Sequence, residues 1–102
     1  MKHEDIISRQ ETYGFTGMQD MINSGQAWHM EGAIGREAMA LLESGACMLP
    51  QERKMDYYGN TVPSRDDLQE GTKGTFQNSV TFWTKVDNGK IEIDEFEEFD
   101  DE

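Results

Sequence analysis

The last twelve residues, Ile91 to Glu102, hold eight acidic side chains and no basic one. Carboxylates at that density repel one another and resist leaving water, so beyond Asp94 the chain is expected to stay solvated or to wait for a basic partner, while Ile91 and Ile93 can still share one buried face. A chain of 102 residues has the length of one ordinary domain. Residues 1–50 carry seven acids and three bases, and residues 51–90 carry six of each, so two thirds of the net charge of −12 sits in the tail. The distribution describes an acidic appendage on a mildly acidic body, a poor match for the phosphates of free nucleic acid.

Apolar residues make up 35 % of the chain and Cys47 is its one cysteine, so no intrachain disulfide is available and stability must come from packing. The start, Met1-Lys2-His3-Glu4-Asp5, is charged where a secretory signal needs an apolar run, and no stretch approaches the length of a membrane span. A cytoplasmic location is the expectation.

Residues 1–14 offer only Ile6, Ile7 and Tyr13 as apolar anchors and read as a short helix or a loose arm. From Phe15 the apolar residues Phe15, Met18, Met21 and Ile22 fall at helical spacing, with Thr16 and Gln19 placed as a capping box and Ser24-Gly25 as the stop. A second helix follows from Met30, Ile34, Ala38, Leu41 and Leu42, ending at Ser44-Gly45, with Gly32 and Gly35 weakening its first turns. Ala27 to Met30 reads alternatively as a short strand between the two helices.

After Pro50 the chemistry turns toward strands and turns. Gly71 to Phe76 reads as a turn feeding a strand, and Val80 to Val86 alternates as its partner. Asp87-Asn88-Gly89 has the composition of a hairpin turn, because Asn and Gly accept positive φ, and Lys90 to Asp94 alternates apolar and acidic as a last strand. The expected class is therefore α+β: two N-terminal helices followed by a small antiparallel sheet, in a single domain over residues 1–94. Residues 15–45 are its helical part and 55–94 its β-rich part, and 95–102 form the acidic tail.

The run Asp67-Leu68-Gln69-Glu70-Gly71-Thr72-Lys73-Gly74-Thr75, a following strand, and Val86-Asp87-Asn88-Gly89-Lys90 together resemble small bacterial and phage proteins of the SH3-like barrel type. Those proteins carry a proline-glycine-threonine-lysine-glycine turn and then a strand ending in Asp-Asn-Gly; here Glu70 stands at the proline position. The resemblance covers about a third of the chain. It implies a partial SH3-like barrel over residues 55–95 and an origin in a phage or mobile element, but no activity, because such barrels host unrelated binding functions.

Two surfaces stand out as candidate sites. The tail residues Asp94, Glu95, Phe96, Glu97, Glu98, Phe99, Asp100 and Asp101 interleave carboxylates with aromatics, a composition suited to a basic groove on another protein, with a purely solubilising end as the bland alternative. Arg53, Lys54, Tyr57, Tyr58 and Arg65 concentrate cations and aromatics as a peptide or a single nucleic-acid strand requires. The bland alternative there is tyrosines packed across strands and cations paired with Asp56, Asp66 and Asp67.

No metal site or cofactor is expected. His3, His29 and Cys47 lie at no zinc spacing, and the core is the expected place for Cys47 and a partly buried one for His29. Asn88 to Phe96 imitates the second half of an EF-hand loop, but its first and third ligand positions fall on Thr84 and Val86, and valine has no ligating oxygen in its side chain. No nucleophile elbow or phosphate loop is present. The composition points to a non-enzymatic protein-binding module that engages a basic surface, with a phage- or mobile-element-encoded modulator or inhibitor of a host nucleic-acid enzyme as the leading case. The alternatives are a nucleic-acid-binding SH3-like barrel and a purely structural domain, and the oligomeric state is open.

Overall fold

The computed structural model describes residues 1–30 and 32–93. Its element order is α1 (His3–Tyr13), α2 (Thr16–Ser24), a 3₁₀ turn (Gln26–His29), α3 (Gly32–Ser44), β1 (Lys54–Met55), β2 (Thr61–Val62) and α4 (Phe76–Asp87). Among the described residues the strands amount to one antiparallel pair, with Lys54 opposite Val62 and Met55 opposite Thr61. Helices dominate, so the expected α+β class with a sheet or partial SH3-like barrel over residues 55–94 is wrong, and among the described residues the barrel implied by the resemblance does not form.

The decisive departure is α4. Thr75 caps it, its Oγ1 accepting from the Asn78 N–H at 3.2 Å, and the segment expected to be a strand continues as helix to Asp87. Val80, Phe82, Thr84 and Val86 fall at a period of two. Phe76, Val80, Trp83 and Val86 also satisfy the helical period, and it is this face that turns toward the core. Gly89 does take positive φ (76°), but it serves a helix end: the Lys90 N–H reaches back to the Lys85 carbonyl at 2.8 Å. The same left-handed residue closes a hairpin or a helix, so the Asn-Gly signal could not tell them apart. Beyond it, Ile91 and Ile93 pack half-buried against the core without forming a strand.

The N-terminal half follows the expected pattern more closely. Residues 3–13 are helical; Asp5 accepts from the Lys2 N–H at 2.7 Å, and Gly14 at φ 86° closes the helix. Gly25 and Gly45 terminate α2 and α3 at the expected places with φ of 85° and 103°. Gly45 has a second reason to be glycine, since a Cβ there would lie 2.7 Å from Cβ of Phe82 and 2.8 Å from the Asn78 carbonyl. Two details differ. Ala27 to His29 belong to a 3₁₀ turn and not a strand, and the residue preceding α2 is Phe15, so Thr16 and Gln19 form no capping box.

Gln19 instead turns inward. The segment Gly45 to Pro50 is buried yet irregular, and a buried backbone must find partners outside regular structure. Gln19 accepts from the Met48 N–H at 2.8 Å and donates to the Met48 carbonyl at 2.9 Å. Gln10 bridges Gln19 and the Ala46 carbonyl, and Ser79 donates to the Gly45 carbonyl at 2.6 Å. Around this strap pack Ile6, Phe15, Ile22, Leu41, Leu42, Phe82 and Trp83, with α1 and α4 further joined by Arg9 on Asp87 at 2.7 Å.

Candidate binding cleft

Between the 3₁₀ turn, the outer face of α3 and the loop that joins β1 to β2 lies an open cleft of about 980 Å³. A second, smaller one of about 320 Å³ adjoins it, and Trp28, Met39 and Asp56 border both. The helical period explains the apolar lining. Ala38, Leu41 and Leu42 of α3 face the core, which leaves Met39 and Ala40 on the opposite side, and Met30 and Met39 remain 47 % and 42 % exposed.

Across from α3 stands the loop tip. The Asp56 carboxylate accepts from the backbone N–H groups of Tyr58 (2.9 Å) and Asn60 (2.8 Å), an Asx-type arrangement that folds the loop over one side chain. These bonds, the Asn60 N–H foremost, hold the Asp56 carboxyl below the ordinary carboxylate range, so it stays ionised. Tyr57 and Tyr58 are thereby presented 72 % and 83 % exposed, their rings edge to face with centroids 5.2 Å apart. His29 fixes the hairpin to the 3₁₀ turn by donating from Nε2 to the Met55 carbonyl at 2.8 Å; the ring is exposed and not partly buried as expected.

The candidate residues read from the sequence separate in space. Tyr57 and Tyr58 line the cleft, but Arg53 is held by a two-pronged ion pair to Asp67 at 2.8 and 3.1 Å. Lys54 lies in β1 with its stem against Gly25. Arg65 is only 6 % exposed and donates to the Leu49 carbonyl (2.8 Å) and Asn23 Oδ1 (3.1 Å), tying down the buried strap, and burial lowers its pKa. Of the five, Tyr57 and Tyr58 therefore line the cleft, while Arg53 is paired with Asp67 and Arg65 is buried against the strap. The tail candidates Asp94 to Asp101 lie outside the described residues.

Cys47 is buried and its thiol is pushed up to about 12 by burial, the behaviour of a core residue. Among the described residues no three His, Cys, Asp or Glu side chains are grouped as metal ligands. Thr84 and Val86 sit inside α4, so the EF-hand imitation has no loop at its first positions, although what precedes it is helix and not the expected strand. Among the described residues no helix is long and apolar enough to cross a membrane.

Sequence reasoning missed Trp28 and Met39 as part of a surface. Met39 carried a legible signal, an apolar residue one place off the buried stripe of α3; Trp28 carried none, because only the fold brings the hairpin opposite it. Comparison with protein-family models, with curated proteins and with solved structures found no match.

Proposed function

We propose that the chain is a non-enzymatic protein-binding module and that its contact surface is the cleft beside Tyr57 and Tyr58. The observation that supports this most directly is the exposure of two adjacent tyrosines, held in place by Asp56 beside a methionine-lined groove. Large apolar groups gathered on one face are what partner surfaces use, tyrosine for contact area and methionine for adaptable packing. The net charge of −12 favours a basic partner by steering it toward the molecule and repelling acidic competitors. Nucleic-acid enzymes present such basic surfaces, which keeps a cytoplasmic modulator of one, encoded by a phage or mobile element, as the specific form of this proposal.

The test is capture from a bacterial lysate on three immobilised baits: the intact chain, a Tyr57→Ser/Tyr58→Ser variant, and residues 1–93. A basic protein retained by the intact chain and lost from the double variant is the expected outcome. Loss only from the shortened chain would move the contact to the tail, and equal capture on all three baits would refute a binding role for either surface.

A further inference from the structure

The kind of segment that fits the cleft follows from what its walls can offer, and the argument rests on the binding-module reading above. An added β-strand gains affinity from backbone hydrogen bonds along an open sheet edge. The Asp56 N–H bonds the Asn60 carbonyl at 2.9 Å, so in this antiparallel pair Met55 and Thr61 are the residues whose N–H and C=O point outward. On the β1 edge the Met55 carbonyl is already taken by His29. On the β2 edge the next outward residue is Pro63, which has no N–H. Neither edge offers an unbroken row of free backbone groups.

The α3 side offers the opposite. Gly32, Gly35, Arg36, Met39, Ala40 and Glu43 recur at three- and four-residue steps along one face of α3 and all line the cleft. Two glycines and an alanine keep this floor low, which allows another helix to approach closely, as small residues do wherever helices pack at short distance. Met30 and the Tyr57–Tyr58 pair rise beside it. The floor runs for about 16 Å, three helical turns. At its far end is the exposed Glu43, 3.4 Å from Lys73, and on the facing wall is Asp56. At the near end the Arg36 guanidinium folds over Gly32, 3.1 Å from where a Cβ would stand. A second copy of this chain would bring another −12 to the same place, so charge disfavours it as the occupant.

We infer that the cleft seats an amphipathic helix of a partner protein, laid along the Gly32–Glu43 face of α3 with its apolar side inward and its Lys or Arg side chains toward Glu43 and Asp56. Arg36 then meets the carbonyl end of the bound helix, whose dipole favours a cation, so the helix runs antiparallel to α3.

The experiment uses the full chain, labelled for NMR, and three synthetic peptides of about 18 residues, the length of five helical turns. They are a Leu/Lys amphipathic helix, the same composition scrambled to destroy the apolar face, and a Leu/Glu amphipathic helix. The expected result is saturable binding of the first alone. It should move the Trp28 indole signal and the amides of residues 32–43 and 56–60, and leave the Trp83 indole, which is buried in the core, in place.

Gly35→Leu is the discriminating variant. Gly35 has no positive φ and its Cβ would meet only the Ala27 carbonyl at 3.9 Å, so the substitution should preserve or strengthen α3 while raising the floor. It should weaken the Leu/Lys peptide by about tenfold or more with the unfolding midpoint unchanged or higher. Equal binding of the scrambled or the acidic peptide, unchanged affinity in Gly35→Leu, or signals moving elsewhere would each overturn the inference. If lysate capture still depends on Tyr57 and Tyr58 while the Leu/Lys helix fails to bind, the binding module stands and the helical occupant falls. Concentration-dependent mass in sedimentation, with the same cleft signals moving and no peptide present, would assign the cleft to a second copy instead.

Discussion

Gln19 shows how much a single polar side chain can organise here. It is 5 % exposed and satisfies both backbone groups of Met48, while its Oε1 also accepts from Gln10 at 2.8 Å. Replacing it by methionine keeps the volume but leaves the Met48 N–H and carbonyl buried without partners. At about 1–3 kcal/mol for each such group, Gln19→Met should cost about 3 kcal/mol, read as a lower urea midpoint at unchanged slope. An unchanged midpoint would mean that water reaches the strap and that Gln19 is not its support. Nothing in the sequence marked Gln19 for this role. A glutamine at the start of an apolar helix reads as a surface or capping residue, and only the strap crossing behind α2 gives it something to bond.

At the level of elements, α4 depends on its first residue boundary. Thr75 is 1 % exposed, its Oγ1 caps Asn78 and donates to the Thr72 carbonyl at 2.7 Å. Thr75→Ala should lower stability by about 1–2 kcal/mol and Thr75→Ser should restore most of it, both measured by chemical denaturation. If alanine is as stable as threonine, the cap is not what fixes the start of α4. The expectation of a strand in this stretch failed because period two and period 3.6 coincide over so short a run of β-branched residues. Packing of Phe82 against the α3 end, with Gly45 at φ 103° admitting the contact, and of Trp83 against Tyr13 and Phe15 settled it as helix. In contrast, α2 and α3 were legible to their last residues, because glycine at a helix end is a local signal that needs no tertiary partner.

Across the whole molecule, distant parts are clasped by exposed ion pairs, and these set a pH window. Arg9 on Asp87 and Arg53 on Asp67 hold both carboxyls below the usual range, chiefly through the hydrogen bonds from the guanidinium. A depressed carboxyl stabilises the fold above its unfolded pKa of about 4 and loses that contribution as pH falls through the folded value. Cys47, raised to about 12, acts at the other end, its contribution being lost as pH rises from the ordinary thiol value of about 8.5 toward 12. These three groups should therefore contribute no pH dependence between those limits and lower stability outside them. Asp87→Asn should lessen the acid-side decline at low salt and have little effect at high salt, where exposed pairs are screened. A urea midpoint that rises on acidification below pH 4 would contradict the assignment.

The sequence by itself determined what depends on near neighbours. Helical periodicity and glycine stops placed α2 and α3, and the single cysteine left packing to do the stabilising. The tertiary structure alone decided what depends on residues far apart in the chain. It made α4 a helix, turned Gln10, Gln19 and Arg65 inward to satisfy a buried strap, and opposed Tyr57 and Tyr58 to Met30 and Met39 across a cleft. The reason is physical: a cap or a turn is selected by the dihedral freedom of one residue. A buried polar group or a groove wall is instead selected by whatever the fold places opposite it, and no local pattern encodes that.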